Sequence, residues 1–183
     1  MKAIVKVALL SLVTATTMFA ESPRQVGDWS VYTSSGNLTR NNMVMLQTEA
    51  VGQHQDARGN TVAAKLEIVC KNDKIAAVAL EMPSRVHKRA ISYKQDVPTA
   101  KVVFLVEGRI ALSENWAVSD RGRTLSPYSE LFQGRLNHTW VERISGADKV
   151  VLQLSQNEGD ESFAPAFSTA HLSEALSAVG CTE

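Results

Sequence analysis

Apolar and polar residues alternate most regularly in the segment 61–70, which has the clearest strand pattern in the chain. One face of this segment takes every second residue: Val62, Ala64, Leu66, Ile68 and Cys70. The opposite face holds the charged residues Lys65 and Glu67. The polar tripeptide Lys71-Asn72-Asp73 supplies a turn, and residues 75–82 form a second apolar run. The period-two pattern therefore predicts a β-hairpin over residues 61–82.

Shorter strand patterns follow one another along most of the rest of the chain, separated by turn residues. They predict strands at 29–33, 43–50, 86–94, 101–106, 109–112, 116–119, 139–144, 149–154 and 162–168. Two pairs of these strands are predicted hairpins: 101–106 with 109–112, and 139–144 with 149–154 around the turn Ser145-Gly146-Ala147-Asp148.

Two segments have the spacing of a helix. A short helix is predicted within 127–136, with Leu131, Phe132 and Leu136 on one side. A C-terminal helix is predicted over 169–180, with Thr169 as N-cap and Gly180 as its stop. Many short strands with two helices predict a mainly β fold, either an antiparallel β-sandwich or a barrel-like domain.

The first 20 residues differ from this strand-rich pattern. Lys2 and Lys6 accompany an apolar stretch over 7–19, which is shorter than the roughly 20 residues needed to cross a bilayer. This arrangement is typical of a secretory signal peptide cleaved after Ala20, and an uncleaved amphipathic helix is the less favoured alternative. The sequence thus predicts a signal peptide at 1–20 and one exported β-rich domain at 21–183, located in the periplasm or secreted.

Composition and charge exclude two classes of protein, disordered chains and strongly basic nucleic-acid-binding proteins. The 183 residues are 44% hydrophobic, which excludes a disordered chain, and 19 basic residues balance 19 acidic ones. Removal of Lys2 and Lys6 with the signal peptide would leave 17 basic residues against 19 acidic ones. A chain with this balance is not a strongly basic nucleic-acid-binding protein.

The predicted export bears on the oxidation state of the two cysteines, Cys70 and Cys181. In an oxidising compartment, two cysteines of a small domain usually form a disulfide, and the alternative is two separate buried thiols. No Cys-X-X-Cys motif is present in the sequence, which argues against redox catalysis. We therefore expect a structural bridge.

The sequence contains none of the common catalytic signatures: no Gly-X-Ser-X-Gly elbow, no zinc-binding His-Glu-X-X-His and no glycine-rich phosphate loop. The four histidines lack the spacing of metal ligands: His54, His87, His138 and His171. The sequence therefore predicts no enzyme, no cofactor and no metal site. A hydrolase without a recognisable motif stays a third hypothesis, which a histidine beside a carboxylate in a concave pocket would favour.

The basic run from Arg85 to Arg89 is the most unusual local feature. On the predicted strand, Arg85, His87 and Arg89 would share one face, with Lys88 on the other. Such a face could bind an anionic partner: phospholipid headgroups, an acidic cell-wall polymer or an acidic protein patch. The alternative, which the sequence favours, is an edge strand whose charges prevent aggregation. Arg121 and Arg123 would extend the patch if the fold brought them close.

Three tryptophans are candidates for the core or for a binding surface. Trp29 and Trp116 lie among apolar residues of predicted strands, which favours the core. Trp140 has polar neighbours, so its sequence context leaves both interpretations open.

Several ordered segments of the mature chain carry a family resemblance. They are GDWSVYTSS at 27–35, LEIVC at 66–70, ISYKQDVP at 91–98, ENWAVSDRGRTL at 114–125 and FSTAHLSEALSAVGC at 167–181. In this order they resemble the VasI/TagO family of periplasmic proteins associated with type VI secretion. The opening Gly27-Asp28-Trp29 is also similar to the start of invasion-associated locus B proteins. The resemblance implies no catalytic residues, and Cys70 and Cys181 would carry over as a structural pair.

Together these observations favour a periplasmic, non-enzymatic accessory or binding protein, associated with a type VI secretion system. Its partner would be an envelope or secretion-machine protein or a cell-wall component, with no nucleic acid and no transmembrane segment after cleavage. The alternative is a secreted virulence or inhibitor protein of the invasion-associated locus B type.

Overall fold

The computed structural model describes residues 22–33, 43–52, 54–55, 61–119, 121–128, 133–154 and 163–181. The predicted signal peptide lies outside these ranges, as do Leu131 and Phe132 of the first predicted helix. Within the described ranges the chain forms thirteen strands: β1 (Arg24–Val26), β2 (Trp29–Thr33), β3 (Met43–Val51), β4 (His54–Gln55), β5 (Thr61–Val62), β6 (Lys65–Lys71), β7 (Lys74–Glu81), β8 (Ile91–Lys94), β9 (Val97–Val106), β10 (Arg109–Val118), β11 (Thr124–Pro127), β12 (Lys149–Leu154) and β13 (Ala166–Ser168). The helices are α1 (Gln133–Ser145) and α2 (Leu172–Ala178), with a 3-10 turn at Lys88–Ala90.

Eight of the strands close into an antiparallel barrel. Their order around the barrel is β3-β13-β12-β9-β10-β11-β7-β6, and β6 pairs with β3 from Lys65↔Glu49 to Lys71↔Met43. The strands β1 and β2 continue the sheet along β3, and β8 lies beside β9. The predicted mainly β fold is therefore confirmed as a barrel, while the sandwich named with it is not confirmed.

The hairpin predicted with the most regular pattern is present as β6 and β7. Its turn residues Asn72 and Asp73 both have positive φ angles, of 52° and 63°. Asn and Asp tolerate this left-handed conformation better than most residues, which explains why a two-residue turn forms here. Residues 61–62 belong instead to β5, which pairs with β4.

The interior of the barrel contains the largest side chains. Trp29, Phe104, Trp116, Trp140 and Phe167 are all fully buried. The Trp140 ring packs edge-to-face against Trp116 at 5.5 Å and against Phe104 at 6.2 Å between centroids. The ambiguity that the sequence left for Trp140 is thus resolved in favour of the core.

The helix α1 corrects two sequence predictions at once. A strand was predicted at 139–144 and a helix within 127–136, whereas the described helix covers Gln133–Ser145. Its buried residues, Asn137, Trp140, Val141 and Ile144, recur with the helical period, and Asn137 Nδ2 donates to the Ala76 carbonyl at 3.0 Å. The strand β12 therefore pairs with β9 and β13, not with residues 139–144.

The C-terminal helix α2 is confirmed over a shorter range than predicted, and a disulfide holds the segment that follows it. Cys70 at the end of β6 and Cys181 are bridged across a sequence separation of 111 residues, which confirms the predicted pair. The N-cap position is His171, not Thr169, whose hydroxyl donates to the Ala147 carbonyl at 2.7 Å. The β1–β2 turn packs here too, because Gly27, with φ +57°, lies directly against the His171 side chain and leaves no room for a Cβ.

The connections of the barrel fall at two ends because its neighbouring strands run antiparallel. We call one the helix end: it holds α1, α2, the disulfide and the β6–β7 and β9–β10 turns. The opposite loop end holds the segments that leave β3, β7 and β10. The helices α1 and α2 pack against the core at the helix end.

Candidate binding surface at the loop end

The basic run at 85–89 does not form the predicted strand. Pro83 follows β7, the Lys88–Ala90 segment is a 3-10 turn, and pairing with β9 starts only at Ile91. The His87 ring accepts a hydrogen bond from the Arg89 backbone N–H at 3.3 Å through Nδ1, and so caps this turn. The prediction that Arg85, His87 and Arg89 share one face of a strand is therefore wrong.

Backbone hydrogen bonds hold the basic run against a second arginine-rich loop. The Met82 N–H donates to the Arg123 carbonyl at 2.7 Å, and the Val86 N–H donates to the Gly122 carbonyl at 2.7 Å. Val86 itself is buried, so it anchors the run to the barrel. The sequence predicted that Arg121 and Arg123 would extend the patch if they lay close to it. The fold brings their segment next to the basic run.

The turn between β10 and β11 makes this close approach possible. Ser119 and Thr124 bridge the turn by a backbone hydrogen bond of 2.9 Å, and Gly122 adopts φ +69°. Glycine adopts this angle at no steric cost, because it has no Cβ. A Cβ at Gly122 would lie 3.7 Å from the Cβ of Arg85, which shows that the Arg85 stem lies over the turn.

Five cations thereby form one exposed region, which we call the basic surface: Arg85, Lys88, Arg89, Arg121 and Arg123. No acidic residue lies within the two contributing segments, 82–95 and 121–128, although Glu81, Asp96 and Asp120 adjoin them in sequence. In the part of the chain that the structure describes, Arg85, Lys88, Arg121 and Arg123 have no ion-pair partner. The surface therefore presents concentrated positive charge, to which an anionic group would be attracted.

A cleft of about 590 Å³ adjoins the basic surface and shares Arg123 with it. Its charged walls carry Glu49, Lys65, Glu81 and Arg123, and its apolar wall includes Val62, Met82 and Pro83. Lys65 Nζ lies 3.9 Å from Glu49 Oε1, although Lys65 is also directly opposite Glu81 in the β6–β7 register. Sequence analysis did not detect this cleft, since its walls come from four separate stretches of chain.

A buried polar pair lies two residues along β3 and β6 from the cleft residues Glu49 and Lys65, on the same face of the sheet. Gln47 Nε2 donates to Glu67 Oε1 at 2.8 Å, and the Tyr32 hydroxyl donates to Gln47 Oε1 at 3.4 Å. Burial raises the pKa of Glu67 above its ordinary 4.5; the Gln47 hydrogen bond opposes that shift. The sequence placed Glu67 with Lys65 on the face opposite Leu66 and Ile68. The apolar Val69 on the same face as Glu67 was the signal that this face is partly covered.

The histidines give no support to hydrolysis. His138 and His171 each contact a carboxylate, Glu142 at 3.4 Å and Glu174 at 3.1 Å, but both pairs belong to the helices at the helix end. His87, His138 and His171 do not line the cleft, and the side chain of His54 lies outside the description. In the same ranges, no three His, Cys, Asp or Glu side chains are grouped so that they could hold a metal ion.

No helix in the described ranges has the length and hydrophobicity needed to cross a membrane.

Comparison with protein-family models, with curated proteins and with solved structures gives no significant match to this chain. The resemblance to the VasI/TagO family accordingly stays a prediction from sequence.

Proposed function

We propose that this protein is an exported, non-enzymatic accessory protein of the bacterial envelope, and that its basic surface binds an anionic partner there. The observation that carries the proposal is the joining of two separate basic segments, 85–89 and 121–123, by the Val86–Gly122 and Met82–Arg123 hydrogen bonds. A charge pattern confined to one strand is explained by edge protection, whereas two loops that converge need another explanation.

The disulfide supports the cellular setting of this proposal. A bridge between Cys70 and Cys181 is compatible with an oxidising compartment, as export requires. In the periplasm, the barrel would present its basic surface to partners. An association with a type VI secretion machine is the setting that the sequence resemblance suggests.

The proposal is tested by cross-linked capture of the tagged protein from envelope extracts, with mass spectrometry of what is recovered. The test variant replaces Arg85, Lys88 and Arg89 by Gln. The matched control replaces Lys74, Arg109 and Lys149 by Gln, which removes the same charge from exposed positions at the helix end. We expect the control to recover the same envelope partner as the wild type and the test variant to recover at least about tenfold less, as for the loss of a few charge-assisted contacts.

Recovery of sheath, baseplate or membrane-complex proteins would assign the secretion setting. Equal recovery by the test variant and the wild type, with both proteins folded by circular dichroism, would overturn the proposed role of the basic surface.

A further inference from the structure

The short strand β8 is an edge strand that directly follows the basic run. It begins at Ile91, whose N–H donates to the Lys88 carbonyl, and all four of its residues pair with β9. In the ranges that the structure describes, no strand pairs with the other side of β8. Ser92, Tyr93 and Lys94 are exposed, so this side of the strand is accessible.

The register with β9 shows which backbone groups of β8 point away from the sheet. The Ile91 N–H is bonded to the Lys88 carbonyl outside the sheet, so it points away from β9. Backbone groups of an antiparallel strand alternate in direction, and therefore the N–H and the carbonyl of Tyr93 point away as well. Pro98, which has no N–H to donate, is the residue opposite Tyr93, in agreement with this direction. Tyr93 thus presents one donor and one acceptor at the open edge.

The side chains of β8 define what an added strand must carry. Ser92 and Lys94 share one face, where the Ser92 hydroxyl lies 3.1 Å from the Thr99 hydroxyl. Ile91 and Tyr93 share the other face; Ile91 packs against the core, whereas Tyr93 is 73% exposed. A residue opposite Tyr93 would lie on the same face as its ring, so an apolar side chain there would cover it.

The charges around β8 favour acidic side chains at the positions before and after that apolar residue. The segment 85–96 contains four cations and a single acidic residue, Asp96. Lys88 and Lys94 flank Tyr93, and neither has an ion-pair partner among the described residues. The same lysines disfavour pairing between two copies of β8, because like charges would come together. The edge therefore selects a different, acidic strand.

We propose that β8 binds an extended acidic segment of a protein partner as an added antiparallel strand, a common mode of peptide recognition. The Tyr93 N–H donates to the carbonyl of one partner residue, and the Tyr93 carbonyl accepts the N–H of the same residue. That residue is apolar and covers the Tyr93 ring, while its acidic neighbours lie on the face of Lys94. This inference rests on the proposed function, because it names the anionic partner as an alternating acidic and apolar protein segment.

The test uses the acetylated and amidated peptide Glu-Val-Glu-Val-Glu, titrated into the isotope-labelled protein and followed by NMR. We expect the Tyr93 amide signal to shift and its hydrogen exchange to slow, with no change at Glu107 in the β9–β10 turn. A Gln-Val-Gln-Val-Gln peptide should bind at least about tenfold more weakly, because its charge is removed. An unchanged Tyr93 amide at millimolar Glu-Val-Glu-Val-Glu would overturn the proposal.

Two N-methylated peptides separate strand addition from simple charge attraction. In the added strand the valine N–H groups face β8, so N-methylation of both valines should weaken binding at least about tenfold. N-methylation of the second and third glutamates, whose N–H groups face away, should leave binding unchanged. Equal affinities of the two methylated peptides would overturn the added strand, whereas the role of charge in the proposed function is decided separately by the capture experiment.

A pair of variants tests the same contact from the side of the protein. Tyr93→Pro removes the N–H that points away from β9, and an edge strand tolerates proline at such a position. It should lose at least about tenfold in affinity for Glu-Val-Glu-Val-Glu. The matched Tyr93→Thr keeps this N–H and loses only the ring contact, so it should lose less than about fivefold. Equal losses in the two variants, both folded by circular dichroism, would overturn the backbone pairing.

Discussion

At the scale of single residues, Glu67 shows how burial changes the chemistry of a strand position. Its side chain is hydrogen-bonded to Gln47 on the neighbouring strand, and its residue is only 8% exposed. Burial disfavours the carboxylate form, and the Glu81 charge adds to that effect, so the pKa of Glu67 lies above 4.5. The folded protein thus binds a proton at this site more tightly than the unfolded chain does.

Glu67→Gln is therefore expected to stabilise the protein at neutral pH. The stabilisation that protonation of Glu67 provides is complete below pH 4.5 and is lost as the pH rises through the higher pKa of the folded state. The neutral amide keeps an acceptor for Gln47 and has no such loss. Urea unfolding of wild type and variant between pH 4 and pH 8 should give a difference in unfolding free energy that grows with pH.

The exposed Glu107→Gln serves as the control and should give no growing difference, since its side chain is already in water. A constant difference between Glu67→Gln and the wild type across the pH range would contradict the burial argument.

At the scale of elements, α1 determines how the helix end is closed. Its Trp140 fills the space between Phe104 and Trp116, and its Arg143 pairs with Glu114 of β10 at 3.3 Å. The helix is thus attached to the barrel by aromatic contacts and by an ion pair to the middle of β10.

Trp140→Ala is expected to lower the free energy of unfolding by about 3–5 kcal/mol, the usual cost of a large cavity in a core. Glu142→Ala, on the exposed face of the same helix, should change it by less than about 0.5 kcal/mol. Urea unfolding measures both. Similar small changes for the two variants would show that Trp140 does not support the core.

The same helix shows what the sequence could and could not predict. The spacing of Trp140, Val141 and Ile144 fits a helix as well as a strand. Asn137 is the first buried residue of the helical face, but because it is polar it does not appear in the apolar pattern. The hairpin of β6 and β7 was predictable because its apolar alternation and its Asn72-Asp73 turn are both local. The hairpin pattern fits one period only, whereas the α1 pattern fits two, and this difference explains why one was predicted and the other missed.

Long-range pairings lay beyond sequence analysis because contacts between distant segments leave no pattern in the local sequence. Closure of the barrel depends on β13 meeting β3 through Ala166↔Val51 and Phe167↔Ala50, a contact between distant parts of the chain. The basic surface likewise depends on Val86 meeting Gly122. The sequence supplied the charges of the surface, but only the fold joins them.

At the scale of the whole molecule, the disulfide holds the C-terminal segment against the barrel. The bridge closes a loop of 111 residues between Cys70 in β6 and Cys181 in the segment that follows α2. In the chain-entropy model, a loop of about this length stabilises the folded state by about 4–5 kcal/mol.

Replacing Cys70 and Cys181 by Ser should accordingly lower the Tm by roughly 10–20 °C, as measured by differential scanning calorimetry. A reducing agent should have a similar effect on the wild type and no effect on the double variant. A Tm of the wild type that does not respond to reduction would contradict this role.

The two ends of the barrel divide the work of the molecule. The helix end contributes stability through α1, α2 and the disulfide, and the loop end presents the basic surface and the cleft. The central claim is that the five cations of the basic surface are concentrated in one region of a protein whose total charge is near zero.

Cation-exchange elution at pH 7 tests this claim most directly, because the variant with Arg85, Lys88 and Arg89 replaced by Gln has the same net charge as the variant with Lys74, Arg109 and Lys149 replaced. We predict that the first variant elutes at clearly lower salt than the second, since a concentrated surface dominates retention. Elution of the two variants at the same salt concentration would contradict the account.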